Sequence, residues 1–373
     1  MPANKLENGV QENPRRRQRG ASTIHDVARR AGVSPMTVSR VINGKKNVKS
    51  ATRERVEAAV RELNYVLNPA ASSLASDNVI RIGLLYSNPS AAYLSEFLVG
   101  GLEQCSRSNV QLVVEKCEPG DEDTIAERLI ASGIDGIVLP PPLCDSPSVI
   151  EVLARAKMPA VAVATGKPAD TVSAVSIDDY KAALEMTRHL ILLGHQRIGF
   201  IIGHPNQSAS GRRLEGYRAG LAEAGIAEVE ELVTQGLFTY RSGLDAAEQL
   251  LRLDEVPSAI FASNDDMAAA AVAVAHRHHL DVPADLTVCG FDDTALATTI
   301  WPELTTIHQP ITDMSRAAVR LLIEEIRHRR DNNEARHPHT LLDFTLIRRQ
   351  SDAAPRRRPP PMHARDLAMP PEL

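Results

Sequence analysis

Long hydrophobic runs, closely spaced cysteines and a secretion signal are all missing from this chain of 373 residues. No apolar stretch approaches the ~18 residues of a membrane span, and the polar residues 1–5 lack the apolar core of a signal peptide. Both absences predict a protein that stays in the cytoplasm. The four cysteines are scattered, with no histidine at metal-ligand spacing, which favours free thiols over disulfides or a zinc site: Cys105, Cys117, Cys144 and Cys289.

The sequence patterns of a nucleotide-dependent or hydrolytic enzyme are also missing. Residues 86–90, the first predicted strand-to-helix turn, have neither the glycines of a dinucleotide-binding loop nor a P-loop lysine, and no Gly-x-Ser-x-Gly elbow occurs. An enzyme is still the main competing class, since doubly wound sheets often hold nucleotides. We expect a pocket that binds a ligand without catalysing a reaction, and we expect no cofactor. His276, His278 and His279 cluster, but no carboxylate or cysteine completes a metal site.

Charge divides the chain into two parts. Residues 1–76 carry a net charge of +8, so the remaining 297 residues carry −13 to give the total of −5. A basic segment attracts polyanions such as DNA, whereas an acidic one resists lying on DNA. Residues 1–21 have the composition of a disordered end and include arginines at 15–17 and 19, which form a basic arm that is either solvated or in contact with DNA.

Residues 22–67 have the pattern of a small three-helix domain. A capping box at 23–26 predicts a first helix that ends at Gly32. A serine N-cap followed by proline predicts a second helix over 34 to about 43, and a third, over about 50–63, would close a small core. The first two helices, joined by a short turn, make a helix-turn-helix; three ordinary surface helices are the alternative.

The second predicted helix has the two faces that a DNA-reading helix requires. Apolar side chains share one face: Val38, Val41 and Ile42. Arg40 lies on the opposite face with Met36 and Asn43, where it suits a bidentate contact with guanine or a clamp on a phosphate.

Beyond residue 77 the pattern changes to alternating strands and helices. A helix from about Tyr93 to Ser106 follows the first of seven predicted strands, at 79–86, 111–114, 136–139, 160–163, 197–202, 259–262 and 286–290. This alternation predicts parallel sheets covered by helices on both faces. About ten strands in all favour two doubly wound subdomains over one wide sheet, with a ligand in the cleft at the carboxyl ends of the strands.

The chain resembles the LacI/GalR family of bacterial transcription regulators over nearly all of residues 22–350. The N-terminal matches are T-I-H-D-V-A at 23–28, A-G-V-S at 31–34, T-V-S-R-V-I-N at 37–43 and L-N-Y at 63–65. The later matches include L-G-H-Q-R-I-G-F at 193–200, S-N-D-D-M-A at 263–268, G-F-D-D at 290–293 and L-T-T-I at 304–307. The resemblance implies an α/β core of two doubly wound parallel-sheet subdomains, similar to periplasmic binding proteins, with an N-terminal all-α helix-turn-helix DNA-binding domain.

The resemblance also implies how the chain is divided and what it binds. The expected parts are a disordered basic arm at 1–21, a helix-turn-helix head at 22–67, a hinge helix at 68–77, an effector-binding and dimerisation core at 78–350 and a disordered tail at 351–373. The expected partners are double-stranded operator DNA, a small-molecule effector and a second copy in a homodimer or tetramer, at the bacterial nucleoid. The main hypothesis is that the protein represses carbohydrate-utilisation genes and that a sugar or a sugar-derived inducer releases it from DNA. The alternative is a repressor that a purine-like corepressor activates.

The hinge prediction depends on length. Asn68 can cap a helix and Pro69 can start one, but only about seven residues follow, fewer than the ~12–15 that an isolated helix needs. We therefore expect this segment to order only on DNA, where the resemblance implies that Leu74 enters the minor groove. An effector that changes the spacing of two cores would then control operator binding.

Fourteen residues are predicted to contact DNA or to position the residues that do: Thr23, Ser34, Pro35, Met36, Thr37, Ser39, Arg40, Asn43, Asn47, Thr52, Tyr65, Asn68, Ala71 and Leu74. Thr37 and Ser39 suit phosphate oxygens. Pro35 and Met36 occupy positions that vary among relatives and would make apolar contacts with thymine methyls or sugars. Tyr65 would pack in the head with its hydroxyl toward a phosphate.

Eight residues are predicted to contact the effector: Ser87, Tyr93, Arg213, Asn264, Asp265, Trp301, Asp292 and Gln309. Four of them match family positions that face the cleft, and their guanidinium, carboxylate and two amides suit vicinal hydroxyls: Arg213, Asn264, Asp292 and Gln309. Asp265 suits a helix cap equally well. With only 3% aromatic residues, Trp301 would either stack on a sugar or pack half-buried. Many relatives have an aspartate after the strand at 160–163; here A-T-G follows at 164–166, without that sugar contact.

Overall fold

The computed structural model of the protein describes residues 22–42, 48–63, 65, 79–331 and 336–356. The chain forms two compact units, Met1–Asn78 and Val79–Leu373. Several predictions lie outside the described residues: the arm at 1–21, Asn43, Asn47, the hinge at 68–77 with Asn68, Ala71 and Leu74, and the part of the tail beyond residue 356.

The N-terminal unit contains three helices, α1 (Ile24–Ala31), α2 (Pro35–Ile42) and α3 (Ser50–Glu62). The predicted capping box starts α1, because Thr23 Oγ1 accepts from the Asp26 N–H at 3.3 Å and the Thr23 N–H donates to Asp26 Oδ2 at 3.0 Å. Gly32 ends α1 in the left-handed region at φ 65°. Side chains from all three helices are buried together: Val27, Ala28, Ala31, Val38, Val41, Val56 and Ala59. The predicted three-helix head is confirmed.

The second unit contains two sheets, and the first consists of six parallel strands. These are β1 (Arg81–Tyr86), β2 (Gln111–Lys116), β3 (Gly136–Leu139), β4 (Ala160–Val163), β5 (Ser173–Ser176) and β11 (His339–Leu341), in the spatial order β11-β5-β4-β3-β1-β2. Its helices are α4 (Ala91–Ser108), α5 (Glu122–Ala131), α6 (Pro147–Arg155) and α12 (Ile311–Arg330). Leu84 packs in the cluster that contains α4 and α12, whereas Leu85 packs with α5 and α6, so helices cover both faces of this sheet.

The second sheet has the same design with one reversed edge strand. Its strands are β6 (Ile198–Ile202), β7 (Val233–Gln235), β8 (Ala259–Ala262), β9 (Thr287–Asp292), β10 (Thr305–His308) and β12 (Thr345–Ile347), in the order β12-β10-β9-β8-β6-β7. All neighbours are parallel except β12, which is antiparallel to β10. The helices of this part are α7 (Asp179–Leu192), α8 (Ser208–Glu223), α9 (Tyr240–Leu251), α10 (Asp265–Arg277) and α11 (Ala295–Thr299). The prediction of two doubly wound subdomains is confirmed.

The chain passes between the two subdomains three times, at residues 177–178, 309–310 and 342–344. Each subdomain is therefore built from separate stretches of sequence. Close packing between two helices requires a glycine in each subdomain, Gly100 in the first and Gly216 in the second. A Cβ on Gly100 of α4 would lie 2.1 Å from the Thr312 carbonyl oxygen of α12, and one on Gly216 of α8 would lie 2.2 Å from the Tyr180 carbonyl oxygen of α7.

Five strands that the sequence analysis did not predict complete the sheets: β5, β7, β10, β11 and β12. They have three or four residues each, and β5 and β10 carry serine, threonine or histidine at their ends. β11 and β12 are edge strands with exposed or half-buried side chains, so neither has the apolar run that marks a buried strand.

No helix among the described residues is both long and apolar enough to cross a membrane. The same part of the chain contains no group of three metal-ligating side chains. The histidine cluster ends a helix, and the His278 ring contacts Glu248 Oε1 at 3.1 Å. All four cysteines are free and buried.

A buried carboxylate attaches the C-terminal segment to the second subdomain. Asp352 Oδ2 lies 2.8 Å from the His189 ring of α7 and accepts from Arg348 Nε at 3.1 Å, while Oδ1 accepts from the Thr305 hydroxyl of β10. Burial alone would raise the pKa of Asp352, but the bonds from His189, Thr305 and Arg348 outweigh it and lower the pKa to about 2. This carboxylate therefore stabilises the fold in its charged form.

We expect Asp352→Asn to lower the free energy of unfolding at pH 7 by about 2 kcal/mol. Because the folded-state pKa lies below the ordinary value of 3.8, the stabilisation is complete above that value and is lost as the pH falls toward 2. Urea unfolding followed by circular dichroism at pH 7, 5 and 3 checks this. Asp343→Asn, an exposed carboxylate in the same segment, is the matched control. A deficit of Asp352→Asn that is as large at pH 3 as at pH 7 would contradict the assignment.

Candidate functional site

A cavity lies in the core where the strands of both sheets end. Its lining residues come from both subdomains, and we call it the inner cavity: Asn88, Pro89, Ser90, Tyr93, Pro141, Ala164, Gln207, Ala209, Arg213, Phe238, Asn264, Asp292 and Gln309. Most of these residues follow the carboxyl ends of strands β1, β3, β4, β6, β7, β8, β9 and β10. The structure thus places a cavity where the alternating pattern predicts ligand binding.

Arg213 is the charged centre of this cavity, and it is 4% exposed. Its Nε donates to Asp179 Oδ1 at 2.8 Å, and its Nη1 donates to the Ser263 carbonyl and lies 3.7 Å from Asp292 Oδ1. The guanidinium carbon lies 3.5 Å from the centre of the Phe291 ring, which forms one wall of its niche. Helices α7 and α8 and strand β9 are joined at this one side chain.

Burial sets the protonation behaviour of the two carboxyls beside Arg213. It raises the pKa of Asp179, and it raises the pKa of Asp292 well above its usual range, although the Arg213 charge acts in the opposite direction on both. One guanidinium therefore faces two carboxyls that burial drives toward the neutral form. A carboxyl of this kind can donate or accept a hydrogen bond, which suits a ligand with hydroxyl groups.

Two lining side chains have buried polar atoms without a hydrogen-bond partner in the structure: Tyr93 Oη and Gln309 Oε1. Gln309 Nε2 donates to Asp292 Oδ1 at 3.5 Å, whereas its amide oxygen has no partner among the described residues. A third unpartnered atom, Asp179 Oδ2, belongs to the ion pair behind the lining. Because a buried polar atom without a partner is costly, these atoms indicate a ligand that supplies hydrogen bonds.

A second cavity opens next to the first, and we call it the outer cavity. Both cavities include Pro89 and Gln207; the other lining residues of the outer cavity are Ser87, Pro119, Glu122, Pro142, Leu143, Asp145, Ser146, Pro147, His204, Asn206, Leu237 and Thr239. The outer cavity measures about 600 Å³ and the inner one about 30 Å³. The inner cavity holds about one water molecule, well below the ~300–1,000 Å³ of small-molecule pockets.

Phe238 lines the inner cavity and packs closely against Gly203, which follows β6. Its ring lies over Gly203 so closely that a Cβ there would be 1.9 Å from the ring, and its backbone has a left-handed φ of 59°. Positive φ is uncommon outside glycine and is held in place here by the surrounding structure. Entry of a ring-sized molecule requires the Phe238 side chain or the subdomains to move.

Two sets of hydrogen bonds join the subdomains across the cleft. The Ser90 hydroxyl, before α4, donates to Asp266 Oδ2 of α10 at 2.6 Å. Asp145, from the first subdomain, accepts from the Ser208 N–H and hydroxyl at the start of α8, both at 2.8 Å. The Thr165 hydroxyl donates to the same carboxylate at 2.6 Å. Asp145 thus supplies a carboxylate beside the A-T-G segment, where the sequence has no aspartate.

The surface of α2 in the N-terminal unit has the two faces that the sequence predicts. Val38 and Val41 are buried, whereas Arg40 is exposed and Met36 is 65% exposed. The Ser34 hydroxyl accepts from the Thr37 N–H at 3.2 Å and lies 2.9 Å from the Thr37 hydroxyl. An open face with an arginine and small hydroxyl side chains suits the major groove and the phosphates beside it.

Two family models match separate parts of the chain. Residues 23–68 match the model for bacterial regulatory proteins of the lacI family, and residues 187–351 match a periplasmic binding protein-like domain. The ribose operon repressor of Escherichia coli (strain K12) is 35% identical over 309 residues, which cover 82% of this chain and 93% of that protein. The chain belongs to the LacI family of bacterial transcription regulators.

Solved structures agree with this LacI-family assignment. A complex of the transcriptional regulator CelR with cellobiose is 33% identical, covers 88% of this chain and 99% of that one, and has a TM-score of 0.68. The lac repressor dimer bound to operator and the anti-inducer ONPF is 28% identical, covers 90% and 100%, and has a TM-score of 0.77. The family members are DNA-binding regulators, so the competing enzyme class is set aside.

The structure brings five of the eight predicted effector residues of this LacI-family core together at the inner cavity: Tyr93, Arg213, Asn264, Asp292 and Gln309. Ser87 lines the outer cavity instead. Trp301 is 74% exposed and lines neither cavity. Its indole lies on the surface after the short helix α11, away from the residues that line the inner cavity.

Asp265 is also absent from both linings, and it is not the helix cap. The cap of α10 is Asn264, whose Oδ1 accepts from the Met267 N–H at 3.0 Å. Asp265 is 1% exposed and accepts from the Thr294 N–H at 2.8 Å and from the Thr306 hydroxyl at 2.7 Å. Burial raises the pKa of Asp265 to about 7, against the effect of these hydrogen bonds. Its carboxyl joins the start of α10 to strand β10 and to the loop after β9.

The predicted DNA contacts of this LacI-family head fall into two groups. The hydroxyls of Thr23 and Ser34 serve as helix caps, since they accept from the N–H groups of Asp26 and Thr37. The remaining described residues are exposed or half-buried: Pro35, Met36, Thr37, Ser39, Arg40, Thr52 and Tyr65. Tyr65 packs against the head core, as expected. Their contacts with DNA stay predictions.

Sequence analysis missed several residues at the cavity: Ser90, Gln207, Phe238 and, behind the lining, Asp179. Phe238 follows β7, a strand of three residues that was not predicted. Its position just after a predicted strand would have marked Ser90, which follows β1. No local pattern marks Asp179, whose role depends on a partner 34 residues away.

We expect Arg40→Ala to weaken operator binding by about tenfold to a hundredfold, because a bidentate arginine–guanine contact contributes about 1–3 kcal/mol. Wild-type protein first selects its operator from a random DNA library, and the affinities are then compared at fixed salt. Arg241→Ala, which removes the same charge from an exposed residue of α9, is the matched control. Equal loss in both variants, or loss of effector binding in Arg40→Ala, would show that the reading residue is misassigned.

Proposed function

We propose that the protein represses carbohydrate-utilisation genes and that a sugar bound in the inner cavity releases it from operator DNA. The observation that carries this proposal is the set of polar groups around the inner cavity. Arg213 and Asp292 line it, Asp179 lies behind the lining, and Tyr93 Oη and Gln309 Oε1 have no partner. Each hydroxyl of a sugar both donates and accepts, so the several hydroxyls of one sugar can bond to these different groups.

Relatives named for a sugar favour a sugar as the ligand class, and repressors named PurR, which bear on the purine alternative, are 31–32% identical to this chain. The ribose operon repressor is 35% identical to this chain, and a neighbour of known structure, CelR, is a cellobiose complex. A purine-like corepressor is the alternative hypothesis.

The contacts between the subdomains support a switch. A ligand changes the population of two arrangements only through its different affinity for them, which is commonly about 1–3 kcal/mol. Ser90 and Asp145 join the subdomains beside the cavities, so a bound molecule must change or reinforce these contacts. The hinge segment predicted at 68–77 would pass the change on to the head.

We propose that the protein acts as a homodimer on double-stranded operator DNA, in the bacterial cytoplasm at the nucleoid. The lac repressor relative is a dimer on its operator. In the first subdomain, Val99 and Leu102 of α4 and Val114 of edge strand β2 are between 42% and 54% exposed, an apolar surface that a second copy could cover. Further pairing of dimers into tetramers stays open.

A ligand screen on the full chain tests the proposal. We expect one class of sugar to raise the melting temperature and to release the protein from an operator selected by the wild type. Hypoxanthine and guanine form the purine arm of the screen. Stabilisation by a purine together with tighter operator binding would replace the sugar hypothesis by the corepressor hypothesis.

We expect Tyr93→Phe to weaken binding of the sugar identified in this screen by about threefold to tenfold, because one hydrogen bond to the ligand is lost. Stability without ligand should stay equal or rise, since the hydroxyl has no protein partner. Tyr217→Phe is the matched control: Tyr217 Oη donates to the Ile198 carbonyl at 2.7 Å, away from the cavity. This control should lose about 1 kcal/mol of stability and keep its affinity. Calorimetric titration and urea unfolding measure both; unchanged affinity in Tyr93→Phe would remove this residue from the site.

A further inference from the structure

We propose that a third cavity in the core is a second effector site and that it takes a small zwitterion, an α-amino acid. We call it the crossover cavity, because two of the segments that pass between the subdomains contribute to its lining. Pro310 belongs to the segment at 309–310, and Leu342 and Asp343 belong to the segment at 342–344. None of its lining residues lines the inner or the outer cavity, so this inference goes beyond the proposed sugar site.

One face of α12 supplies the other charged groups of the crossover cavity. Asp313, Arg316 and Arg320 follow one another at intervals of three and four residues, which places their side chains along one face of a helix. The cavity measures about 410 Å³, within the ~300–1,000 Å³ range of small-molecule pockets. It is therefore large enough for a small organic molecule that contacts both α12 and the crossing segments.

Arg316 is held in place by two carboxylates but keeps one unused donor. Its Nη1 donates to Asp313 Oδ1 on the same helix, and its Nη2 donates to Glu103 Oε2 of α4 at 3.0 Å. Its Nε is buried and has no hydrogen-bond partner among the described residues. Because a buried N–H without a partner is costly, this atom indicates a ligand that supplies an acceptor.

Arg320 and Asp343 carry opposite charges in the same cavity but do not pair with each other. Both are exposed, and neither forms a hydrogen bond or an ion pair with another described residue. The cavity therefore offers one unengaged guanidinium and one unengaged carboxylate. An α-amino acid matches both groups, because its carboxylate can accept from Arg320 and from Arg316 Nε while its ammonium group donates to Asp343.

The balance of charge favours a zwitterion over an ion of one sign. Two arginines and two aspartates line the crossover cavity, so their formal charges cancel. The Glu103 carboxylate, which contacts Arg316, adds one negative charge next to them. A phosphate or a polyamine would meet groups that repel it as well as groups that attract it. A zwitterion can place each of its charges beside a group of the opposite sign.

The position of the crossover cavity connects ligand binding to the arrangement of the subdomains. A molecule between α12 and the segment at 342–344 contacts chain that leads from one subdomain to the other. A change in the arrangement of the subdomains moves these segments relative to α12, so the ligand has a different affinity for each arrangement. Coupling between two sites of this kind commonly changes affinity by about fivefold to a hundredfold.

Calorimetric titration of the full chain with the common amino acids tests the proposal, with inorganic phosphate and putrescine as the arms of single charge. We expect one amino acid or a chemically related group of them to bind, and neither single-charge probe. For the amino acid that binds, its amide and its N-acetyl form should each bind about tenfold or more weakly, because each lacks one of the two charges.

Arg320→Gln and Asp343→Asn localise the amino acid to the crossover cavity. We expect each variant to bind it about tenfold or more weakly than wild type, because one charged contact is lost. Arg241→Gln and Asp245→Asn are the matched controls, since they remove the same charges from an exposed pair on α9. Both controls should bind the amino acid as wild type does.

The effect on DNA tests the effector role. We expect a saturating concentration of the amino acid to change the affinity of wild type for its selected operator by about fivefold or more, and to leave that of Arg320→Gln unchanged. An unchanged operator affinity in wild type would overturn the effector role.

Three further outcomes would overturn the site. Failure of every amino acid to bind would remove it and leave the proposed sugar function standing. Tighter binding of phosphate or putrescine than of any amino acid would assign the cavity to an ion of one sign. An amino acid that binds both variants as tightly as wild type and competes with the sugar would lie in the inner cavity, which would overturn the proposed sugar function as well.

Discussion

The effector core depends on one buried cation, the guanidinium of Arg213. It is held by Asp179 of α7 and the Ser263 carbonyl, it lies beside Asp292 at the end of β9, and it stacks on the Phe291 ring. Removing one partner of a buried ion pair leaves an uncompensated charge, so each of these elements constrains the others. The inner cavity is therefore lined by charged and polar groups, and a ligand that binds there must form hydrogen bonds with them.

Polar groups along the cleft differ in their partners. At the inner cavity Tyr93 Oη and Gln309 Oε1 have no hydrogen-bond partner, whereas Asp145 and Thr239 at the outer cavity are engaged in contacts within and between the subdomains. Asp145 joins the subdomains through Ser208 and also accepts from the Thr165 hydroxyl in the A-T-G segment at 164–166.

Local sequence patterns were sufficient for the head and for much of the core. The capping box at Thr23 and the turn at Gly32 depend only on residues that are close in sequence, so the sequence alone is enough to predict them. Buried parallel strands appear as apolar runs, and the residues that follow them, such as Asn264 and Asp292, could be assigned to the cleft from the sequence. The resemblance to the LacI family added the order of the parts.

The remaining features depend on contacts between distant positions. Strands β5 and β10 carry serine and threonine because their hydroxyls bond to neighbouring elements, and this removes the apolar run that would reveal them. Phe238 was missed because its strand has only three residues. Asp265 has the local pattern of a cap or a ligand, and only its bonds to Thr294 and Thr306, 29 and 41 residues away, show a different role.

That role of Asp265 bears on how the cleft can move. Its carboxyl connects the start of α10 with β10 and with the loop after β9, and the space it occupies leaves no room for a Cβ on Gly290. Asp292, the last residue of β9, and Gln309, directly after β10, therefore lie at the ends of two strands that Asp265 connects. A movement of the second subdomain would carry these two residues together relative to Tyr93 of the first subdomain, and a ligand in the inner cavity would contact both sides.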